Sequence, residues 1–284
     1  MVPAAPAVLR KLRRSIGVRV TVRLLNQKGF FILFAETDHS GRLRVRCGGP
    51  PVETKKAFGV GGERTAMDTT GTGQRGASIV VVDYGLGNLR SVTRGLERAS
   101  ADVSIVGDPG ALDDADGIVL PGVGAFGDGM ENAGPFRDAL TDAADEGRPL
   151  FGICLGMQML LSSSEEADHE GQGDARGLDL IPGRNVRFTG TVKVPHMGWN
   201  ELAVTRDHPL VGGVDGEYAY FVHSYYAAPD DPGHVVAETD YGERFPAVVA
   251  NDAGNVFGTQ FHPEKSGATG LRILRNFVDY CADQ

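Results

Sequence analysis

Pro149-Leu150-Phe151-Gly152-Ile153-Cys154-Leu155-Gly156-Met157-Gln158-Met159-Leu160-Leu161 changes its periodicity partway along. The apolar run after Arg148 reads as a buried strand, and the apolar residues after Cys154 recur at helical spacing, so the cysteine stands where strand becomes helix. Gly152 and Gly156 flank it as G-x-C-x-G, the cysteine form of a nucleophile elbow. Small neighbours let a sharp, strained turn push the nucleophile into a cleft. The free amides and positive end of the following helix favour thiolate over thiol and supply a donor for an oxyanion.

A thiolate nucleophile needs a proton acceptor, and the acceptor needs an orienting group. Of the seven histidines, His262 has the credentials, in Phe257-Gly258-Thr259-Gln260-Phe261-His262-Pro263-Glu264-Lys265-Ser266 at the end of a strand-like run. His262 and Glu264 are two apart across Pro263, and extended backbone at that spacing points both side chains to one side. Cys154, His262 and Glu264 therefore form a candidate catalytic triad.

These two segments are the signatures of the class I (triad) glutamine amidotransferases, which the sequence resembles. Within that family the closer likeness is to the glutaminase subunits of imidazole glycerol phosphate synthase. Four more segments carry it, in order: Asp83-Tyr84-Gly85-Leu86-Gly87-Asn88, Pro121-Gly122-Val123-Gly124-Ala125-Phe126, Pro195-His196-Met197-Gly198-Trp199-Asn200 and Tyr220-Phe221-Val222-His223-Ser224-Tyr225. The resemblance implies a flavodoxin-like α/β fold, a mostly parallel sheet with helices on both faces. It also implies that Cys154 attacks the side-chain amide of glutamine, that His262 protonates the departing ammonia, and that water then releases glutamate from a thioester.

Pro121-Gly122-Val123-Gly124 follows a strand directly, and its glycines let the backbone turn an amide toward the thiolate, although such a turn is commonly only a turn. By carry-over from the family it is the oxyanion strand, with the amides of Val123 and Leu155 as donors after a peptide flip. The same carry-over places Gln158 and Glu166 at the amino acid's polar end and Gly124, Ser224 and Tyr225 along the site. On sequence alone, Glu166 in Ser164-Glu165-Glu166 reads equally well as part of a solvated loop.

Ammonia released into water would be lost as ammonium. The resemblance supplies a partner, the cyclase subunit, a (βα)8 barrel that joins the ammonia to a phosphorylated ribonucleotide intermediate. Such a barrel takes about 250 residues, and this chain of 284 has no room for it beside a glutaminase, so the partner is a separate chain. Asn88, Trp199, Tyr220 and Lys265 match family positions at the partner face. Trp and Tyr are common interface anchors, but the single tryptophan reads as well as a core residue.

The composition, 41% hydrophobic and 7% aromatic, suits a globular protein, and no apolar run reaches the length of a membrane span. Cys47, Cys154 and Cys281 show neither CxxC nor paired spacing, so neither a disulfide framework nor a zinc site is expected, and a reducing cytoplasm fits. No P-loop or dinucleotide fingerprint occurs, and neither a metal nor a cofactor is expected.

Charge divides the chain. Residues 1–66 hold 13 Lys and Arg against 4 Asp and Glu, a net +9, and residues 67–284 hold 15 against 33, a net −18. The basic part, with Arg10, Lys11, Arg13, Arg14, Arg19 and Arg23 crowded together, lacks useful helical periodicity and ends in Cys47-Gly48-Gly49-Pro50-Pro51. It reads as an extension over 1–76 without ordered structure, ahead of an amidotransferase domain over 77–284. A start codon placed too far upstream, with Met67 as the true beginning, explains it better than a targeting peptide or a nucleic-acid-binding arm. The acidic part carries 13 Arg but only two Lys, Lys193 and Lys265. A surface so charged repels itself unless salt screens it, which points to a salt-loving source.

From Ala77 the pattern alternates. Strands are predicted at Ser78 to Asp83, Asp102 to Val106 and Gly117 to Leu120, and helices at Leu89 to Ala99 and Phe136 to Glu146. A polar loop over Ser162 to Gly177, strand-rich sequence from Arg184 to Gln260 and a closing helix at Leu271 to Cys281 follow. Such alternation implies a parallel sheet covered on both sides, with its site at the carboxyl ends of the strands. Competing readings are a sister glutaminase serving another synthase, a cysteine hydrolase or chaperone-like protein of the same architecture acting alone, and a regulatory subunit without chemistry. The intact triad argues against the last.

Overall fold

The computed structural model describes residues 76–169, 176–190 and 192–284 and, earlier in the chain, the backbone of three strands. Residues 1–70 and 71–284 form separate compact units. In the first, Val20–Asn26 (β1), Gly29–Thr37 (β2) and Leu43–Gly48 (β3) pair antiparallel in that order. The reading of the sequence named none of these three strands. Leu43, Val45 and Cys47 alternate with Arg44 and Arg46, a period of two that a search for helical spacing passes over. Met67 and the basic residues Arg10, Lys11, Arg13, Arg14 and Arg19 lie outside the described residues.

The second unit opens with Ser78–Val82 (β4), Leu89–Arg98 (α1), Asp102–Val106 (β5) and Gly117–Gly122 (β6), then Phe126–Asn132 (α2) and Arg137–Asp145 (α3). Leu150–Cys154 (β7) runs straight into Leu155–Met159 (α4). Ser163–Ser164 (β8) and Glu165–His169 (α5) come next, where a plain loop was expected. The strand-rich part comprises Gly183–Arg187 (β9), His196–Glu201 (β10), Ala203–Val204 (β11), Tyr218–His223 (β12), Tyr225–Pro229 (β13), Val235–Asp240 (β14), Arg244–Ala250 (β15) and Val256–Thr259 (β16), and Gly267–Ala282 (α6) closes the unit.

The central sheet has the order β11-β14-β15-β16-β7-β6-β4-β5. Strands β16, β7, β6, β4 and β5 are parallel, and the β11-β14-β15 edge is antiparallel. Strand β7 is buried along its whole length between β6 and β16, as a continuous apolar run requires. Two hydrophobic clusters include the sheet's two faces. Ile79, Val81, Phe151 and Ile153 pack with Leu96, Ile273 and Phe277 on one side, and Val80, Val82 and Leu150 with Phe126, Leu140 and Met157 on the other. Alternate residues of single strands divide between these clusters, the mark of a sheet covered on both faces.

The parallel arrangement brings the ends of β6, β7 and β16 together. Gly122 pairs with Cys154 and Thr259 with Ile153, so the turn after β6, the elbow after β7 and the segment leading to His262 leave the sheet side by side. Two smaller sheets, β10 with β12 and β13-β9-β8, lie alongside. Among the described residues no helix is long and apolar enough to cross a membrane. Because the acidic residues of this part repel one another, its thermal midpoint is expected to rise by about 5 °C or more between dilute buffer and molar potassium chloride. A calorimetric scan showing no rise would remove the salt-adapted reading.

Candidate active site

The elbow is built as its sequence requires. Cys154 has φ 56° and ψ −110°, a region that L-residues rarely occupy. Its glycine neighbours make room. A Cβ on Gly152 would lie 2.7 Å from the Gly156 carbonyl oxygen and from Met157 Cα, and one on Gly156 would lie 1.8 Å from the Leu120 carbonyl oxygen. The helix that follows spans only Leu155–Met159, so the dipole expected from sequence is short and the local amide of Leu155 is its chief contribution.

The histidine sits across the site. The His262 backbone amide donates to the Tyr220 carbonyl at 3.0 Å, and the Ser266 hydroxyl donates to the His262 carbonyl at 2.7 Å while accepting from the Tyr220 amide. These bonds fix the turn carrying the imidazole to β12. His262 Nδ1 lies 3.0 Å from Glu264 Oε1, with both side chains almost wholly buried, at 3% and 1% exposure. The carboxylate accepts the Nδ1 proton and so leaves Nε2 for chemistry. The second carboxylate oxygen, Oε2, is buried without a hydrogen-bond partner.

Burial alone would pull the imidazole's pKa down. Hydrogen bonds and charge from Cys154 and Glu264 outweigh it, and the His262 pKa is pushed up to about 9 from an ordinary 6.5. The raised value means that protonated His262 stabilises the fold fully below pH 6.5 and that this contribution is lost as pH rises toward about 9. Glu264→Gln removes one of the two supporting charges, so the high-pH fall in glutamine hydrolysis is expected to begin at a lower pH than in the unaltered protein. Superimposable pH profiles of kcat/KM would show that Glu264 does not tune the imidazole.

Cys154, only 7% exposed, and His262 line one cavity of about 380 Å³. Val123, Gly124, Leu155, Gln158, Glu166, Ser224, Tyr225 and Lys265 also line it. Glu264 stands behind His262, and Asn88, Trp199 and Tyr220 are not among the lining residues. Gly124 has φ +110°, the freedom expected of the turn beside Cys154. Gln158 donates to the Tyr225 carbonyl at 2.8 Å and to Gln260 Oε1 at 3.2 Å, and Glu166 Oε2 accepts from the Phe126 amide at 2.8 Å. Both side chains thus also hold the walls of the cavity. Asn88 precedes α1 without capping it through its side chain. Trp199 is 53% exposed and pairs with Tyr220 across β10 and β12, their rings 5.9 Å apart. A core role for this tryptophan is excluded by that exposure.

Several contributors escape sequence reasoning. Tyr84 donates its buried hydroxyl to the Pro121 carbonyl at 2.7 Å, pinning the strand just before the Val123–Gly124 turn. Burial, and next the charge of Cys154, push its pKa up. Gln260 Nε2 approaches Cys154 Sγ at 3.9 Å. His223, Pro195 and Val222 complete the lining. Tyr84 and His223 lie inside recognised segments, but nothing in their spacing discloses these contacts. Among the described residues no cluster of three or more His, Cys, Asp or Glu could hold a metal ion.

Comparison with known proteins agrees with this geometry. Residues 80–281 match the family model of glutamine amidotransferase class-I. The chain is 74% identical over 218 residues, 77% of its length and all of the relative's, to the imidazole glycerol phosphate synthase subunit HisH of Natronomonas pharaonis. It is 71% identical over 227 residues to the HisH protein of Haloarcula marismortui, covering 74% of this chain and 98% of that one. Among solved structures, PurLQS from Thermotoga maritima superimposes with a TM-score of 0.59 at 24% identity, over 72% of this chain and 99% of that one, a likeness of fold. Sequence, fold and cavity agree that this chain belongs to the class-I glutamine amidotransferases, in the family of imidazole glycerol phosphate synthase subunit HisH.

Proposed function

We propose that the chain is the glutaminase subunit of a two-chain imidazole glycerol phosphate synthase, hydrolysing glutamine to glutamate and passing the ammonia to a cyclase subunit in histidine biosynthesis. The observation that carries this reading is the convergence of a strained Cys154, a buried His262 and its carboxylate partner Glu264 on one cavity, within a chain of this family. Cys154 thiolate attacks the amide carbonyl, the amides of Val123 and Leu155 receive the oxyanion, and His262 delivers its proton to the leaving ammonia. His262 then takes a proton from water, which releases glutamate from the thioester and restores the thiolate. Gly124, Gln158, Glu166, Ser224 and Tyr225 hold the amino acid.

The partner is a (βα)8 cyclase, and the exposed face of β10 and β12 receives it. Met197, Trp199 and Tyr218 are all more than half exposed there, an apolar and aromatic surface of the kind that anchors protein interfaces. Lys265, Tyr220 and Asn88 belong to the same docking region. The test is glutamate release in high salt by the chain alone, then with the cyclase subunit and its nucleotide substrate. Hydrolysis is expected to stay near background until both are added. Full activity without them favours the hydrolase that acts alone, and none under any condition overturns the glutaminase assignment.

A further inference from the structure

Gln260 is wholly buried, is not among the residues lining the glutamine cavity, and yet reaches the reacting sulfur. It stands just after β16, where its backbone amide donates to the Ala247 carbonyl of β15 at 2.9 Å. Its side-chain Nε2 lies 3.9 Å from Cys154 Sγ, and its Oε1 lies 3.2 Å from Gln158 Nε2. Gln158 Nε2 lies also 2.8 Å from the carbonyl oxygen of Tyr225, at the start of β13. His223 Nδ1 is 2.8 Å from the same oxygen, and His223 Nε2 is 3.0 Å from His196 Nδ1. The Gln158 backbone is held as well, its carbonyl accepting from Asn185 Nδ2 at 2.9 Å.

These contacts leave each of the two amides one orientation. A backbone carbonyl only accepts, so the Gln158 group at Tyr225 is the NH2 and not the oxygen. The same NH2 meets Gln260, where only an oxygen can accept. The NH2 of Gln260 is thereby turned toward Cys154. Turning it over would set two NH2 groups against each other and an oxygen against the sulfur. A neutral thiol is a weak acceptor and leaves this buried N–H poorly satisfied, in keeping with the length of the contact. A thiolate accepts it as a charge-assisted bond, so the buried donor favours the ionised sulfur.

We propose that Gln260 is a further catalytic residue, a preset N–H donor to the Cys154 thiolate, with Gln158 holding its amide in the donating orientation. The proton leaving Cys154 goes to His262 Nε2, and the Gln260 N–H holds the electron pair left on sulfur. The donor acts twice. Before attack it opposes recapture of the proton by sulfur. When water cleaves the thioester, the carbon–sulfur bond breaks, its electron pair returns to sulfur, and the same N–H receives it. Gln158, proposed above to hold the amino acid, thus also sets the state of the nucleophile. The part played in glutamine turnover rests on the glutaminase reading, whereas the donation to sulfur does not.

The test is the pH profile of Cys154 alkylation by iodoacetamide in the full chain, followed by mass spectrometry of the Cys154 peptide, a reaction that needs neither glutamine nor cyclase. Gln260→Met keeps the length of the side chain and loses its N–H. In it, alkylation at neutral pH is expected to slow about fivefold or more, while the alkaline plateau stays within about twofold. The plateau separates charge from access, because a packing defect lowers the rate at every pH. Gln158→Leu frees the Gln260 amide to turn over and is expected to shift the profile the same way by a smaller factor; no shift there overturns the orienting role of Gln158. A profile unchanged in folded Gln260→Met, or lowered equally at every pH, overturns the proposal. Should that variant not fold, the Gln260 side-chain amide protons of the unaltered protein decide by nuclear magnetic resonance: they are expected to move downfield as the sulfur ionises, and signals that stay put overturn the donation. A shifted profile in a protein that hydrolyses no glutamine, with or without cyclase, leaves the donor standing and removes the glutaminase reading.

Discussion

Replacing Cys154 with alanine is expected to lower glutamate release by a factor of about 10⁴ or more, because no other group can form the thioester and members of a catalytic unit fail together. The same change should leave the thermal midpoint almost where it was. The thiol's contact with Gln260 at 3.9 Å is a weak one, and alanine at φ 56° carries the same backbone strain as cysteine, so the midpoint read above about pH 9, where the imidazole no longer draws on Cys154, hardly moves. Loss of activity with retained stability separates chemistry from folding. Serine provides the sharper control, since it keeps shape and hydrogen bonding but is a far poorer nucleophile without a strong base. Either variant retaining about a tenth of the activity would take Cys154 out of the reaction. Parallel alkylation of the unaltered protein, blocked by bound glutamine, would show that the thiol and the substrate share the cavity.

What could be read from the sequence depended on whether a residue's role is local. The elbow was legible because its geometry is set within five residues, Gly152 to Gly156, and the His262–Glu264 pair because two residues of extended chain bring the side chains together. The parallel sheet followed from strand and helix alternation, and β5 and the start of α1 fall where expected. Helix α2 did not declare itself. Gly127 and Gly129 weaken its propensity, and it forms because Gly129 lets it approach Leu155 and Met159 of α4 closely. Closing helix α6 begins at Gly267, four residues before the expected start, because it is anchored from Ser266 and packed over Pro263 rather than begun by propensity. The Tyr84, Gln260 and His196–His223 contacts link residues between 27 and 106 positions apart. No spacing rule reaches that far. The exposure of Trp199 was equally hidden, since a lone tryptophan on a strand faces core or solvent according to what lies above it.

The second large effect is expected at a residue that takes no part in chemistry. Gly156→Ala would place a methyl carbon 1.8 Å from the Leu120 carbonyl oxygen and 2.8 Å from its carbon. Both obstacles are backbone atoms of β6, which is buried along its whole length and held by β4 on one side and β7 on the other. A flexible side chain could swing away, but this strand cannot move without disturbing the Val123–Gly124 turn and the Gly122–Cys154 register together. Overpacking of this kind costs about 1–3 kcal/mol where side chains can yield, and more where they cannot. At about 2–4 °C per kcal/mol for a domain of this size, the thermal midpoint should fall by about 10 °C. Activity should fall further than stability, because relief of the clash by even half an ångström moves the Leu155 amide off the oxyanion. A variant with an unchanged midpoint would mean that α4 lies farther from β6 than this elbow allows, and the oxyanion assignment of Leu155 would fall with it. A lowered midpoint with full turnover would separate packing from catalysis and confine Gly156 to the first. The expected result, loss of both, ties the tightness of the elbow to the placement of its thiolate.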